Sequence, residues 1–196
     1  KENYSYRRNN SFNYVKTECE NVYNNVGLLD LSTFAKYEIS GNSSEQFLER
    51  LCANKIPQQE GSIILTHMLN EKGRIQTELT ITRFPNNNFY VLSSTASEFR
   101  DLDWFLQHKK EDENVNIKNI TNDYGVLVLV GPKSRDVLSE LTNEDLSNEN
   151  FPWLKAKEIN IAGMQVKALR INYIGELGWE LHHSFIDMEN LYDKLM

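Results

Sequence analysis

The chain carries one pattern twice, and that repetition constrains its fold more than any single motif. Gly41, Ser44, Phe47, Leu48 and Leu51 recur at one fixed offset as Gly131, Ser134, Val137, Leu138 and Leu141. The surrounding elements repeat in the same order. In the first pass, alternating and β-branched runs predict strands over Leu28 to Leu31 and Lys36 to Ser40, then a helix over Ser43 to Leu51. Strands follow over Ile63 to Leu69, Ile75 to Phe84 and Asn88 to Ser93, and Thr95 opens a helix whose apolar side is supplied by Phe99, Leu102, Trp104, Phe105 and Leu106. The second pass reads Val115 to Ile120, Val126 to Val130, a helix from Gly131-Pro132 to Leu141, strands near Lys155 to Ile161, Gln165 to Asn172 and Gly178 to His182, and a helix over Ile186 to Met196. The expected fold class is therefore α+β: two strand-strand-helix-strand-strand-strand-helix halves built around antiparallel sheets. The domain organisation expected is an N-terminal arm and helix over 1–26, a first half over 27–114 and a second half over 115–196.

Local chemistry sets the expected boundaries. Lys1 to Ser11 is polar and aromatic and reads as an arm. Phe12, Val15, Cys19, Val22, Tyr23 and Val26 then line one helical face, which Gly27 is expected to close as a C-terminal glycine. Ser43 with Gln46, and Thr95 with Glu98, have capping-box spacing. Pro132 suits a first helical turn.

The net charge of −7 argues against a nucleic-acid surface, which needs clustered Lys and Arg. No apolar run is long enough to span a bilayer, so no membrane partner is expected. Val130-Gly131-Pro132-Lys133-Ser134 lacks the glycine spacing of a dinucleotide loop, and its proline removes an amide donor. Cys19 and Cys52 have no metal spacing and are expected as reduced core residues. His182 and His183 are adjacent on a strand, so they face opposite ways; a surface or half-buried role is expected for them, and no metal site is expected. The chain starts at Lys1 without a signal-peptide core and reads as a piece of a longer protein.

Two carboxylates interrupt strands that should prefer apolar or β-branched residues. Glu78 lies in Ile75-Gln76-Thr77-Glu78-Leu79-Thr80-Ile81-Thr82, after the Glu71-Lys72-Gly73 turn. It lies either on a solvent face or in a cavity where a ligand meets it. Glu180 follows Tyr173-Ile174-Gly175-Glu176-Leu177-Gly178-Trp179. This pattern admits a hairpin with a surface glutamate and a core aromatic. It also admits a site where the carboxylate takes two parallel N–H bonds from a planar heterocycle flanked by Tyr173 and Trp179.

With these residues the chain resembles the folate-binding aminomethyltransferase family, that of the glycine-cleavage T-protein and the C-terminal halves of dimethylglycine and sarcosine dehydrogenases. The resemblance covers essentially the whole chain. It rests on Gly27-Leu28-Leu29-Asp30-Leu31-Ser32, Met68-Leu69-Asn70-Glu71-Lys72-Gly73-Arg74, Glu78-Leu79-Thr80, Val130-Gly131-Pro132 and, most specifically, Tyr173 to Glu180. Tyr4-Ser5-Tyr6-Arg7-Arg8 and the Glu-Leu-Thr form are most similar to the dimethylglycine dehydrogenase branch.

The resemblance implies a duplicated T-protein-like folate-binding fold. It implies one-carbon transfer to tetrahydrofolate, giving 5,10-methylenetetrahydrofolate, with the carbon derived from a methylated amine. Glu78 falls on the family's catalytic acid position. Glu180 falls on the position that holds the pterin edge, Tyr173 on a pocket tyrosine, and Thr80 and Ser94 on positions lining the pterin site. The resemblance further implies an N-terminal flavin domain, with its FAD, outside this chain, and a C-terminal barrel that this chain lacks, leaving the pocket open on one side. The compartment implied is the mitochondrial matrix or the bacterial cytoplasm. Some features depart from T-proteins: Thr77-Glu78 replaces paired aspartates, Thr33-Phe34-Ala35 replaces His-Met-Gly, and Leu65 replaces a pocket tyrosine. A T-protein-type enzyme and a non-catalytic regulatory paralogue remain the alternatives.

Overall fold

A computed structural model describes residues 3–196; of the expected N-terminal arm, residues 1 and 2 lie outside the described residues. Helix α1 (Phe12–Asn24) precedes β1 (Gly27–Asp30), β2 (Ala35–Ser40), α2 (Ser44–Leu51), β3 (Ile63–Leu69), β4 (Ile75–Phe84), β5 (Asn88–Ser93) and α3 (Glu98–His108). Then come β6 (Asn116–Asn119), β7 (Tyr124–Val130), α4 (Ser134–Leu141), β8 (Ala156–Ile161), β9 (Met164–Leu169), β10 (Gly178–Ser184) and α5 (Met188–Leu195). The strands form two antiparallel five-stranded sheets, ordered β3-β4-β5-β2-β6 and β8-β9-β10-β7-β1. The fold is α+β, as the duplicated pattern requires.

Each sheet has the same order when the repeats are overlaid, with one exchange. The edge strand β1 pairs with β7 of the second half, and β6 pairs with β2 of the first. The halves are thus interlocked through their first strands. The two crossing connections meet at Lys36, whose Nζ donates to the carbonyls of Ser32 and Phe34 at 2.9 Å and of Thr121 at 3.3 Å. Burial pushes this ammonium down to about 8, against the nearby charges of Glu98 and Asp30.

Strand alternation sorts the side chains into four layers. Tyr37, Ile39, Leu79, Ile81, Phe89 and Val91 turn outward onto Phe47 and Leu48 of α2 and Phe105 of α3. Leu127, Leu129, Ala168, Trp179 and Leu181 turn outward onto Leu138 of α4 and Leu191 and Leu195 of α5. The opposite faces meet between the sheets, where Ile63, Phe84, Tyr90 and Leu92 pack against Ala156, Leu169 and Ile171. The sheets also join at one corner, through Ile63 N to Leu154 O at 3.0 Å and Ala156 N to Gly61 O at 2.7 Å.

Several local expectations are corrected. Gly27 does not close α1; the helix ends at Asn24, the Asn25 N–H bonds Asn21 O, and Gly27 begins β1. None of the α1 residues is buried; of that stripe, Val22 packs on Val126, Val128 and Val130, and Val26, just past the helix, packs on the outer core of the second half. Ser43 makes no side-chain cap; instead Ser44 Oγ donates to Gly41 O at 2.8 Å. Glu98 does not cap its own helix, because its carboxylate accepts from Asn119 Nδ2 at 2.7 Å. Cys19 is exposed on α1, so only Cys52 has core character. Burial pushes the Cys52 thiol up to about 12. Among the described residues, no helix is long and apolar enough to cross a membrane.

Candidate functional site

A pocket of about 300 Å³ opens where the first-half sheet meets the β9–β10 loop of the second half. All five residues singled out in the sequence line it: Glu78, Thr80, Ser94, Tyr173 and Glu180. They come from four separate segments, and the two halves contribute both acids.

The β4 strand supplies Glu78 and Thr80 from one face, because residues two apart on a strand point the same way. Thr80 sits between Leu65 on β3 and Leu92 on β5 in register, which builds an apolar wall around its hydroxyl. Glu78 pairs in register with His67, and its Oε2 is 3.4 Å from His67 Nε2. Its side chain is 71% exposed, so Glu78 stands at the mouth of the pocket, both in solvent and on the cavity wall. Ser94 follows the end of β5 and is exposed.

From the other half, β10 presents Glu180 on its inner face, between Val128 on β7 and Leu169 on β9. Glu180 is 5% exposed. Its Oε2 lies 3.4 Å from His182 Nε2. Tyr173 is carried by the loop before β10, and its side chain is exposed. Asn172 shapes that loop: its Oδ1 accepts from Ile174 N at 3.0 Å and Gly175 N at 3.1 Å, while its Nδ2 donates to Glu176 O at 3.0 Å. Gly175 takes a φ of +89°, which the turn requires.

Trp179 is not part of the site. Strand alternation turns it to the outer face of β10, where it is fully buried against Phe151. The expectation of a surface or half-buried role for the histidines is also overturned. His182 and His183 are both fully buried, on opposite faces of β10. Burial holds both imidazoles below their ordinary range. Gly125 makes room for His183, since a Cβ there would sit 2.5 Å from the ring.

Phe34, Leu92, Ser93, Ile171 and Asn172 also line the pocket. Asn172 opens the sequence cluster that ends in Glu180, but Leu92, Ser93 and Ile171 carried no sequence signal, because apolar and small polar residues in strands look alike in any core. The electrostatic character of the pocket is plain: among the described residues, its only charged lining groups are two carboxylates. Such a lining suits N–H donors or a developing positive charge and disfavours an anion.

The sequence matches the GCVT N-terminal domain over residues 1–196. It is 42% identical over 193 residues to mitochondrial dimethylglycine dehydrogenase of Rattus norvegicus. It is likewise 42% identical to the mitochondrial dimethylglycine dehydrogenase of Homo sapiens. The match takes in 98% of this chain and 22% of each of those proteins, so the chain spans about a fifth of their length. Among solved structures, the glycine cleavage system aminomethyltransferase T from Bartonella henselae superposes with a TM-score of 0.79 at 20% identity, over 91% of this chain and 47% of its own. The heterotetrameric sarcosine oxidase from Corynebacterium sp. U-96 superposes with a TM-score of 0.70 at 15% identity, over 97% of this chain and 93% of the matched one. At those identities the two superpositions bear on the fold alone.

Proposed function

The chain belongs to the GCVT N-terminal domain family, and from that premise we propose that the pocket binds tetrahydrofolate and serves one-carbon transfer to it. The observation that carries this reading is the pair of carboxylates, one buried and one at the mouth, as the only charged lining among the described residues of a cavity shared by both halves. A buried carboxylate needs donors. A pterin offers them as an amino group and a ring N–H on one edge, which a carboxylate accepts in parallel. Glu180 takes that edge in this reading. Tyr173, Leu65 and Leu92 give apolar surface for a flat ring, and the Thr80 and Ser94 hydroxyls border it.

Tetrahydrofolate supplies the amine nitrogens that take up the carbon. Glu78 then accepts the proton that leaves a folate nitrogen as its new N–C bond forms, and its charge offsets that of an incoming iminium carbon. Exposure at the mouth suits this role, because the proton must pass on to solvent. Identity to the dimethylglycine dehydrogenases supports a methylated amine as the carbon source, oxidised by a flavin domain elsewhere in a longer protein. It also supports a mitochondrial matrix location; a bacterial cytoplasm suits the fold equally.

The test separates binding from chemistry. Calorimetry with tetrahydrofolate should show Glu180→Gln weakening binding about tenfold, by loss of the charge on the acceptor. Glu78→Gln should bind within about threefold of wild type yet slow single-turnover transfer of formaldehyde-level carbon by about 100-fold. Unchanged transfer by the Glu78 variant would remove it from the chemistry. An unaltered dissociation constant for the Glu180 variant would remove the pterin assignment.

A further inference from the structure

Glu180 ends a buried hydrogen-bonded chain that begins in the opposite sheet. His182, two residues along the same face of β10, is fully buried, with Nε2 3.4 Å from Glu180 Oε2. Its other nitrogen, Nδ1, is 2.9 Å from the Tyr90 hydroxyl on β5. Tyr90 is 2% exposed and meets the imidazole edge-on, with ring centroids 5.2 Å apart and planes at 88°.

The chemistry of the three groups gives this chain one direction. An ionised carboxylate only accepts, so His182 Nε2 must carry the hydrogen. In a neutral ring Nδ1 is then an acceptor, and Tyr90 must donate to it. Burial favours the neutral ring, and Lys36 on β2 and His183 on β10 add repulsion to a second proton, against the opposing charge of Glu180. Burial likewise keeps the proton on Tyr90.

We propose that His182 is a positioning residue for the pocket carboxylate: the Tyr90–His182–Glu180 chain, spanning both sheets, holds Glu180 in one orientation as an acceptor for a ligand edge bearing two N–H groups. The imidazole occupies part of Oε2 and leaves Oε1 with the remaining lone pair of Oε2 for such an edge. The chain thus selects a donor–donor heterocycle over one that presents an acceptor. This inference rests on the reading that Glu180 meets the ligand.

Two substitutions of similar burial separate positioning from packing. The amide nitrogen of His182→Gln can stand in for Nε2 and keep the bond to Glu180, whereas His182→Asn reaches only the Nδ1 side. Binding of 5-formyltetrahydrofolate, a stable reduced folate, should weaken about tenfold in His182→Asn and stay within about threefold of wild type in His182→Gln. A purely structural role would move both alike, so equal affinities for the two variants overturn the proposal. Nitrogen-15 NMR of the unliganded chain should show His182 neutral and protonated at Nε2 over about pH 6 to 8; an Nδ1-protonated ring or an imidazolium overturns it as well. If Glu180→Gln binds the folate like wild type, the folate reading fails at Glu180, while the NMR signature still decides the hydrogen-bonded chain.

Discussion

At the scale of single residues, burial decides which groups titrate and react. His182 and His183 are held below the ordinary value of 6.5 by desolvation. In the unfolded chain both take a proton near that value, so below it the unfolded state binds more protons than the folded one. Stability therefore falls as pH drops through about 6.5, by about 1.4 kcal/mol per pH unit for each imidazole left unprotonated. Carboxylates held low by hydrogen bonds to arginine, Glu113 by Arg50 and Glu45 by Arg83, lose their contribution only as pH falls below 4.5. Urea unfolding from pH 8 to pH 5 should show the first slope before the second begins, and His182→Gln should flatten it. The cysteines divide the same way: iodoacetamide at neutral pH should label exposed Cys19 and leave Cys52, whose thiol is pushed up to about 12, unmodified in the folded state. Mass spectrometry of the labelled peptides checks this.

At the scale of elements, the repeated Gly41 and Gly131 do equivalent work at the two strand-to-helix turns. Their φ values of +115° and +122° lie where a side chain is strained. Added Cβ atoms would meet Asn114 O at 2.3 Å and Asn25 O at 2.5 Å, carbonyls just before the exchanged strands β6 and β1. Those same carbonyls accept from Ser43 N at 3.1 Å and Lys133 N at 3.0 Å, so each turn grips the chain that the other half sends in as the edge strand of the same sheet. Gly131→Ala should destabilise by about 2–3 kcal/mol, combining strain and collision. Thermal denaturation checks this, and a midpoint equal to wild type would show that the turn relaxes freely. The glycines were legible in the sequence because they recur in register. The caps were not: Ser43 and Glu98 have the right spacing, but Ser44 and Asn119 offered competing partners from turn geometry and a neighbouring strand.

At the scale of the whole molecule, strand exchange makes the two halves one cooperative unit. Without β6, the first sheet would expose the edge of β2, a strand whose Tyr37 and Ile39 are fully buried. Fragments 1–114 and 115–196 should each lack a cooperative thermal transition when expressed alone and regain one when mixed. A sharp transition in fragment 1–114 by itself would show the exchanged strand to be dispensable. The site depends on the same interlock, since Glu78 and Glu180 share a pocket only while the sheets stay face to face.

The amino-acid sequence by itself determined the element order, the duplication and the two acids that line the pocket. Those features are local: periodicity, glycine placement and an acid in an apolar strand all show within a few residues. Only the tertiary structure decided which sheet takes each edge strand, because β1 can form the same hydrogen bonds with any suitable neighbour. It also decided that Glu180 is buried while Glu78 is exposed, and that Trp179 faces away from the pocket. Above all it gave His182 a partner, Tyr90, 92 positions away in the chain. The burial of a histidine and the bond that directs it come from the meeting of two sheets, and no local pattern in either strand encodes that contact.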